Sequence, residues 1–135
     1  MNYEIKTGDA LEVLKTMDEQ SVHCCVTSPP YWALRNYDVD EQLGQETTPE
    51  EYIENLVDIL REVKRVLRDD GTLWLNLGDS YVGTGSKGKH KDNKDRKNRN
   101  GQEVAKNNKV KGLKPKDMVG IPWRVALALQ ADGWY

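Results

Sequence analysis

The sequence VHCCVTSPPYW at residues 22–32 decides how this 135-residue chain folds. Its first five residues form an apolar run bounded by a turn, which predicts a buried strand. Two consecutive prolines cannot donate backbone hydrogen bonds and they fix φ, so the strand must stop at Thr27 or Ser28. A stiff loop follows, with a hydroxyl on one side and two aromatic rings on the other. This arrangement predicts a slot for a flat polar group.

Repeating strand and helix patterns surround this loop. Residues 3–6 alternate like a short strand that ends at Gly8-Asp9, and a helical pattern follows with Asp9 as its N-cap. Residues 72–77 form a third predicted strand, whose near-continuous apolarity is typical of a buried parallel strand. Asp79 follows that strand, where it can either approach the site or cap the turn.

Two further helices have clear boundaries in the sequence. Thr48 and Glu51 form a capping box at the start of a helix predicted over 49–68, and Gly71 offers a left-handed stop. A last helix begins near Pro122 and ends at Gly133. We assign no chemistry to these helices.

The order of strand and helix, repeated three times, predicts an α/β fold with a parallel sheet. Ligands bind beyond the carboxyl ends of the strands in such sheets. The loops at those ends are Gly8-Asp9, residues 27–32 and residues 78–80. The sequence therefore places its unusual residues on the ligand-binding side.

Composition fits one cytoplasmic domain. Hydrophobic residues make up 37% of the chain, and we find no apolar run long enough for a bilayer and no signal peptide. The adjacent Cys24 and Cys25 are predicted to be reduced core thiols, and His23 to be a core residue. We predict no metal site, because the few Cys and His residues lack the spacing of ligands.

Basic residues are concentrated in one segment of an otherwise acidic chain. Residues 87–116 contain 12 of the 20 Lys and Arg residues, which suits a polyanionic partner such as the DNA backbone. We predict that residues 80–112 are a mobile basic loop, because their Gly, Lys and Asn content breaks all periodicity. The alternative is a solvated linker without contacts. The candidate DNA-backbone residues are Lys87, Lys89, Lys91, Lys94, Arg96, Lys97 and Arg99.

The TSPPYW loop resembles the catalytic loop of the amino-directed DNA methyltransferases, which methylate the exocyclic nitrogen of cytosine or adenine. The resemblance extends to the Gly8-Asp9 turn, to GTLWLNLGDS at 71–80 and to residues 113–134. The serine form of the loop is similar to the N4-cytosine type, with N6-adenine as the alternative. The resemblance implies a partial Rossmann-like sheet of three parallel strands with helices.

The resemblance also implies roles for individual residues. Ser28 Oγ and the Pro29 carbonyl accept hydrogen bonds from the target amine, and Pro30 completes the catalytic corner. The donor is S-adenosyl-L-methionine and the substrate is double-stranded DNA. The residues implied to contact the cofactor are Asp9, Thr27 and Ser28, of which Asp9 can also be a plain helix N-cap. The residues implied to stack on the flipped base are Tyr31 and Trp32.

The chain departs from the family because it lacks the glycine-rich cofactor loop and two strands that belong between its first and second strands. We therefore expect residues 1–135 to be the N-terminal, catalytic-loop part of a methyltransferase domain, unable to methylate DNA alone. A restriction endonuclease is a candidate partner, and the sequence does not define the oligomeric state. The competing hypotheses are a DNA-binding module without catalysis and an inert remnant.

Overall fold

A computed structural model describes residues 3–37, 42–83 and 110–135. Its described part contains α1 (Ala10–Lys15), β1 (Val22–Thr27), α2 (Pro49–Val66), β2 (Leu67–Leu75) and α3 (Ile121–Ala131). β1 and β2 pair in parallel, with Cys25 beside Leu73 and Thr27 beside Leu75. The predicted α/β class with a small parallel sheet is confirmed.

The predicted first strand does not form. Residues 3–7 belong to no helix or strand, and Tyr3 and Ile5 are 89% and 80% exposed. The described sheet therefore has two strands and not three. Alternation alone cannot make a strand, because its backbone groups need a hydrogen-bonded neighbour, and no described segment pairs with these residues.

The start of α2 follows the sequence prediction. The Thr48 side chain accepts a hydrogen bond from the Glu51 backbone N–H at 3.2 Å, and the Glu51 carboxylate accepts one from the Thr48 backbone N–H at 3.3 Å. This reciprocal pair satisfies two backbone donors that the first turn leaves open. Pro49 follows the cap, where its missing N–H costs nothing.

The end of α2 differs from the prediction. The helix ends at Val66, and the chain enters β2 at Leu67 without an intervening loop. Gly71 lies inside β2 and has no positive φ, so it is not a left-handed stop. A Cβ at Gly71 would lie 2.9 Å from the Arg68 carbonyl oxygen and 3.2 Å from that of His23. The glycine is therefore explained by close backbone approach at an irregularity in strand pairing.

One face of the sheet packs against the core and the other is open. Cys25, Leu73 and Leu75 contact the hydrophobic cluster that α2 and α3 form, whereas Val26 and Trp74 are 78% and 65% exposed. The prediction of strands buried on both faces is therefore wrong for the described residues. It is also wrong for His23 and Cys24, which are both exposed. Cys24 alternates with the core-facing Cys25, whereas His23 lies at the irregularity in strand pairing between Val22 and Cys24.

Asp79 fixes the start of α3 from the loop after β2. Its Oδ1 accepts hydrogen bonds from the backbone N–H groups of Ser80 at 2.8 Å and of Gly120 and Ile121 at 2.9 Å. A carboxylate is favourable at this end of a helix because the open N–H groups carry partial positive charge. The sequence allowed Asp79 either to approach the site or to act as a cap, and the structure shows the capping role.

α3 ends as the sequence predicts. Gly133 has φ +97°, and its N–H donates to the Gln130 carbonyl at 3.1 Å. The Trp134 N–H donates to the Leu129 carbonyl at 3.0 Å, which completes a Schellman motif. Among the described residues, no helix is both long and apolar enough to cross a membrane.

The predicted basic loop falls mostly outside the described residues, which resume at Val110 after Gly83. The described ends of that segment are ordered by their contacts. Val82 and Val110 are buried in the core, and Tyr81 forms an antiparallel bridge with Met118. The mobility of residues 80–112 stays a prediction, and its described ends pack against the core.

We predict that Asp79→Ala lowers the free energy of unfolding by about 2 kcal/mol or more, because three backbone donors lose a charged acceptor. Asp79→Asn should lose less, since its amide oxygen can accept from the same groups. Chemical denaturation measures both values. Asp69→Ala is the matched control, because Asp69 is exposed and, among the described residues, its side chain accepts only from the Gln20 side chain. Equal stability of the Asp79→Ala and Asp69→Ala variants would contradict the capping role.

Candidate active site

An open cavity lies at the carboxyl end of β1, where the proline loop begins. Its volume is about 300 Å³, within the usual range of ligand sites. Ser28 is exposed and Tyr31 is half-buried, so both side chains are accessible from this cavity. The residues that line it are Ser28, Pro29, Pro30, Tyr31, Leu34, Arg35 and Tyr37.

The Ser28 and Tyr31 hydroxyls lie on the same side of the loop. Ser28 Oγ is 3.4 Å from the Tyr31 hydroxyl oxygen. This distance exceeds that of an ordinary O–H···O hydrogen bond, so the contact is weak. Ser28 Oγ can therefore exchange this contact for a hydrogen bond to a ligand at little cost.

The Tyr31 ring packs on the backbone of Gly78, in the loop after β2. A Cβ at Gly78 would lie 2.6 Å from Tyr31 Cε2 and 2.7 Å from Cδ2, which is closer than atoms can approach. Gly78 has no positive φ, so its lack of a side chain is required by space and not by backbone conformation. The glycine therefore sets the position of the ring.

The two proline carbonyls differ in their hydrogen bonding. The hydroxyl of Tyr52, a fully buried residue of α2, donates to the Pro30 carbonyl at 3.0 Å. Burial, followed by the nearby Glu46 charge, raises the pKa of Tyr52, so the phenol stays protonated and can donate. No described residue donates a hydrogen bond to the Pro29 carbonyl, which stays available to a ligand.

A second loop supports the proline loop from behind. Gly44 has φ +95°, and a Cβ there would lie 2.9 Å from the Tyr31 carbonyl oxygen. The Gly44 carbonyl accepts from the Ala33 N–H at 2.8 Å, which holds Ala33 at φ +57°. A left-handed alanine is uncommon and costs conformational energy, so this contact helps to fix the turn after Trp32.

Trp32 is a core residue and not a wall of the cavity. Its side chain is 1% exposed, and its Nε1 donates to the Glu46 carbonyl at 3.0 Å. The predicted stacking of Trp32 on a base is therefore wrong for this structure, because the ring is packed inside the protein. Its carbonyl also anchors the site, since it accepts from Ser80 Oγ at 2.8 Å.

The other predicted site residues lie outside the cavity lining. Asp9 caps α1, because its Oδ1 accepts from the Glu12 N–H at 3.0 Å. Thr27 ends β1, and its carbonyl accepts from the Asn76 N–H at 2.9 Å. Their roles in cofactor binding stay predictions. The predicted DNA-backbone residues, Lys87 to Arg99, lie outside the described residues.

Sequence analysis gave no individual role to five residues that shape the site. Leu34, Arg35 and Tyr37 line the cavity, while Tyr52 and Gly78 position the loop and the ring. The position of Gly78, directly before Asp79 at the end of a predicted strand, could have indicated that it belongs to the site. Tyr52 was hidden within the amphipathic pattern of α2.

A model of a DNA methylase family with N6- and N4-directed members matches residues 22–135. The chain belongs to this family. The type II methyltransferase M.Cfr9I of Citrobacter freundii is 52% identical over 128 residues, which are 95% of this chain and 42% of that protein. The chain thus spans about two fifths of that relative's length.

A solved structure agrees with the predicted fold. PvuII DNA methyltransferase, described as cytosine-N4-specific, has a TM-score of 0.52 at 19% identity, over 93% of this chain and 32% of that one. This likeness confirms a partial Rossmann-like methyltransferase fold. A Thermus thermophilus protein described as a DNA modification methylase, solved with S-adenosyl-L-methionine, is 42% identical, with a TM-score of 0.44, over 56% of this chain and 30% of that one.

We predict that Gly78→Ala destabilises the protein by about 1–3 kcal/mol, because the new methyl group overlaps the Tyr31 ring. The same substitution in a Tyr31→Ala background should cost much less, since the overlapping ring is gone. Urea denaturation of the four proteins gives the coupling energy directly. A coupling energy near zero would contradict the packing of Tyr31 on Gly78.

Proposed function

We propose that this chain provides the base-binding and amine-activating part of a DNA methyltransferase. Its substrate would be the exocyclic N4 of a cytosine flipped out of double-stranded DNA, with S-adenosyl-L-methionine as the methyl donor. Residues 1–135 would form the catalytic-loop part of the methyltransferase domain. The observation that carries the proposal is the open cavity with Ser28 Oγ, an available Pro29 carbonyl and the Tyr31 ring around it.

The two oxygens suit the chemistry of an aromatic amine. The lone pair of an exocyclic NH₂ group is delocalised into the ring, so the nitrogen is a poor nucleophile. Ser28 Oγ and the Pro29 carbonyl would accept one hydrogen bond each from its two N–H groups. This favours a tetrahedral nitrogen and makes the lone pair available. Holding both reactants in line supplies most of the rate, since proximity can contribute about 7–11 kcal/mol.

Tyr31 gives the cavity a surface on which a base can stack. A base inside a duplex must be flipped out before its amine can be reached, at a cost of a few kcal/mol. Stacking on an aromatic ring contributes about 1–3 kcal/mol and offsets part of this cost. Gly78 would keep the ring at the position where stacking is needed.

The side-chain oxygens of Asp9 and Thr27 also suit a cofactor with hydroxyl and ammonium groups, because these oxygens can accept hydrogen bonds. Asp9 uses one carboxylate oxygen to cap α1, and its second oxygen accepts no hydrogen bond from any described residue. Asp9 and Thr27 would hold the cofactor, and Ser28 would lie between cofactor and base. S-adenosyl-L-methionine, when bound, supplies an electrophilic methyl group.

The choice of cytosine over adenine rests on Ser28. A neutral hydroxyl stands where, by the resemblance, adenine-directed loops more often have an acid or an amide. N6-adenine methylation stays the nearest alternative, and DNA binding without catalysis is the alternative from another class. A restriction endonuclease partner is part of the proposal, because the relative from Citrobacter freundii is named a type II enzyme.

Nucleoside mass spectrometry tests the proposed function. The gene that contains this sequence is expressed at its full length in a host without DNA methylation of its own. We expect N4-methylcytosine, reduced about 100-fold by Ser28→Ala, because a preorganised hydrogen-bonding group is worth about 10²–10³ in rate. Ser21→Ala is the matched control, since Ser21 is exposed and, within the described part of the chain, its hydroxyl bonds only to the Asp18 carbonyl. N6-methyladenine would support the alternative, and the absence of both would exclude catalysis.

Arg35 is predicted to contact a DNA phosphate beside the flipped base. Its side chain lines the cavity and makes no ion pair with any residue in the described ranges. Arg35→Gln should weaken DNA binding and reduce the slope of log affinity against log salt by about 0.9, the value for one phosphate contact.

Fluorescence anisotropy at several salt concentrations measures that slope. Arg68→Gln is the matched control, because Arg68 is exposed and pairs with Asp70 at the opposite end of β2. An unchanged slope in the Arg35→Gln variant would contradict the phosphate contact.

A further inference from the structure

A short antiparallel ribbon forms where the chain approaches α3. Residues 80–82 pair with residues 116–119 through three backbone hydrogen bonds of 2.8–2.9 Å. Tyr81 and Met118 lie opposite each other in this pairing, as an antiparallel bridge. We call these two segments the Tyr81 ribbon.

The two faces of the Tyr81 ribbon differ in burial. Val82 and Val119 are 5% and 2% exposed and belong to the hydrophobic core. Side chains alternate along an extended chain, so Tyr81 and Met118 point away from the core, and they are 65% and 50% exposed. The core therefore fixes a backbone that presents an aromatic ring and a thioether to solvent.

The turn that leads into the ribbon has a lysine where its backbone favours glycine. The Asp117 N–H donates to the Lys114 carbonyl at 3.0 Å, which closes a turn over residues 114–117. Pro115 at the second position and a φ of +74° at Lys116 match a type II turn. Glycine adopts that third position without strain, whereas lysine does not. A strained residue in a turn held by hydrogen bonds points to a function of its side chain.

The turn also carries positive charge that no described residue neutralises. Lys114 and Lys116 are exposed, and neither forms an ion pair with a residue in the described ranges. Asp117 is partly buried, and its carboxylate accepts from the Lys114 backbone N–H at 2.9 Å. The Lys116 N–H donates to the Val82 carbonyl, which places this lysine beside Tyr81. The ribbon therefore combines two free cations with an exposed aromatic ring.

The Tyr81 ribbon adjoins the candidate active site. Ser80 Oγ donates to the Trp32 carbonyl at 2.8 Å, and Gly78 supports the Tyr31 ring. Tyr81 directly follows Ser80, so the ribbon is attached to the loop that would receive a flipped base. A duplex with one base in the cavity continues on both sides of that base and comes within reach of the ribbon.

We propose that the Tyr81 ribbon is a DNA-binding surface beside the flipped nucleotide. Lys114 and Lys116 would contact backbone phosphates. Flipping removes a stacking partner from the neighbouring bases, and the Tyr81 ring would stack on one of them. An acidic polypeptide could use the lysines, but it would give the ring no base on which to stack. The inference rests on DNA as the substrate of the proposed function and not on methyl transfer.

Fluorescence anisotropy of the 135-residue chain with a labelled DNA duplex, at several salt concentrations, tests the phosphate contacts. Lys114→Gln and Lys116→Gly should each reduce the slope of log affinity against log salt by about 0.9. Lys15→Gln is the matched control, because this exposed lysine lies at the end of α1, where Arg65 donates to the Leu14 carbonyl near the start of β2.

Lys116→Gly separates DNA binding from folding. The variant should be as stable as the original chain in urea denaturation, because relief of the strained φ offsets the greater freedom of glycine in the unfolded chain. A weaker affinity for DNA at unchanged stability is a result that a purely structural role of Lys116 would not give.

A duplex with one abasic site tests the stacking of Tyr81, because the bases beside that site are unstacked. Tyr81→Ala should weaken binding to this probe at least about fivefold and leave the salt slope unchanged, since stacking carries no charge. Tyr81→Phe keeps the ring and should bind like the original chain. Tyr3→Ala is the matched control, because Tyr3 is 89% exposed and belongs to no helix or strand.

Four results would overturn the proposal. They are the absence of DNA binding, unchanged salt slopes in both lysine variants, equal affinities of Tyr81→Ala and Tyr81→Phe, and tighter binding of polyglutamate than of DNA. The last result would assign the surface to an acidic polypeptide. The proposed function fails separately: DNA binding that depends on the ribbon, without methylated nucleosides from the gene at its full length, would refute methyl transfer and keep this inference.

Discussion

The hydrogen bond from the Tyr52 hydroxyl to the Pro30 carbonyl is the constraint on which the candidate site depends. Proline residues fix φ but cannot anchor a loop through their own N–H groups, so the loop must be held through its carbonyls. Tyr52 is fully buried in α2 and therefore carries the rigidity of the core to this point. Tyr52 donates to Pro30 and not to Pro29, whose carbonyl has no hydrogen-bond donor among the described residues and is available to a ligand.

The same core connects the two loops at the carboxyl ends of the strands. Ser80 Oγ donates to the Trp32 carbonyl, and the Tyr31 ring packs on Gly78. The loop after β2 therefore holds the loop after β1 at two points. Asp79, between Gly78 and Ser80, caps α3. A single tripeptide thus orients the aromatic ring, the proline loop and the last helix. The site is built from backbone contacts that a parallel sheet brings together, and this agrees with the position of ligand sites in α/β folds.

Local signals in the sequence predicted the features that depend on local physics. The capping box of Thr48 and Glu51, the Schellman glycine at 133 and the strand stop before Pro29 all follow from neighbouring residues. Features that depend on distant partners were missed or wrong. Residues 3–6 alternate correctly but have no described strand beside them. Trp32 is buried in the core, and Tyr52 resembles the apolar residues of α2. Ser28 and Tyr31 were singled out by the proline loop and its resemblance to a catalytic loop, and the structure places both beside the cavity.

A crystal structure of the full-length protein bound to DNA and a cofactor analogue tests the central claim most directly. The account predicts a flipped cytosine in the cavity, stacked on Tyr31, with its N4 within about 3 Å of both Ser28 Oγ and the Pro29 carbonyl oxygen. Tyr52 should still donate to Pro30 in that complex. A flipped base bound elsewhere, or a Pro29 carbonyl turned away from its amine, would contradict the account.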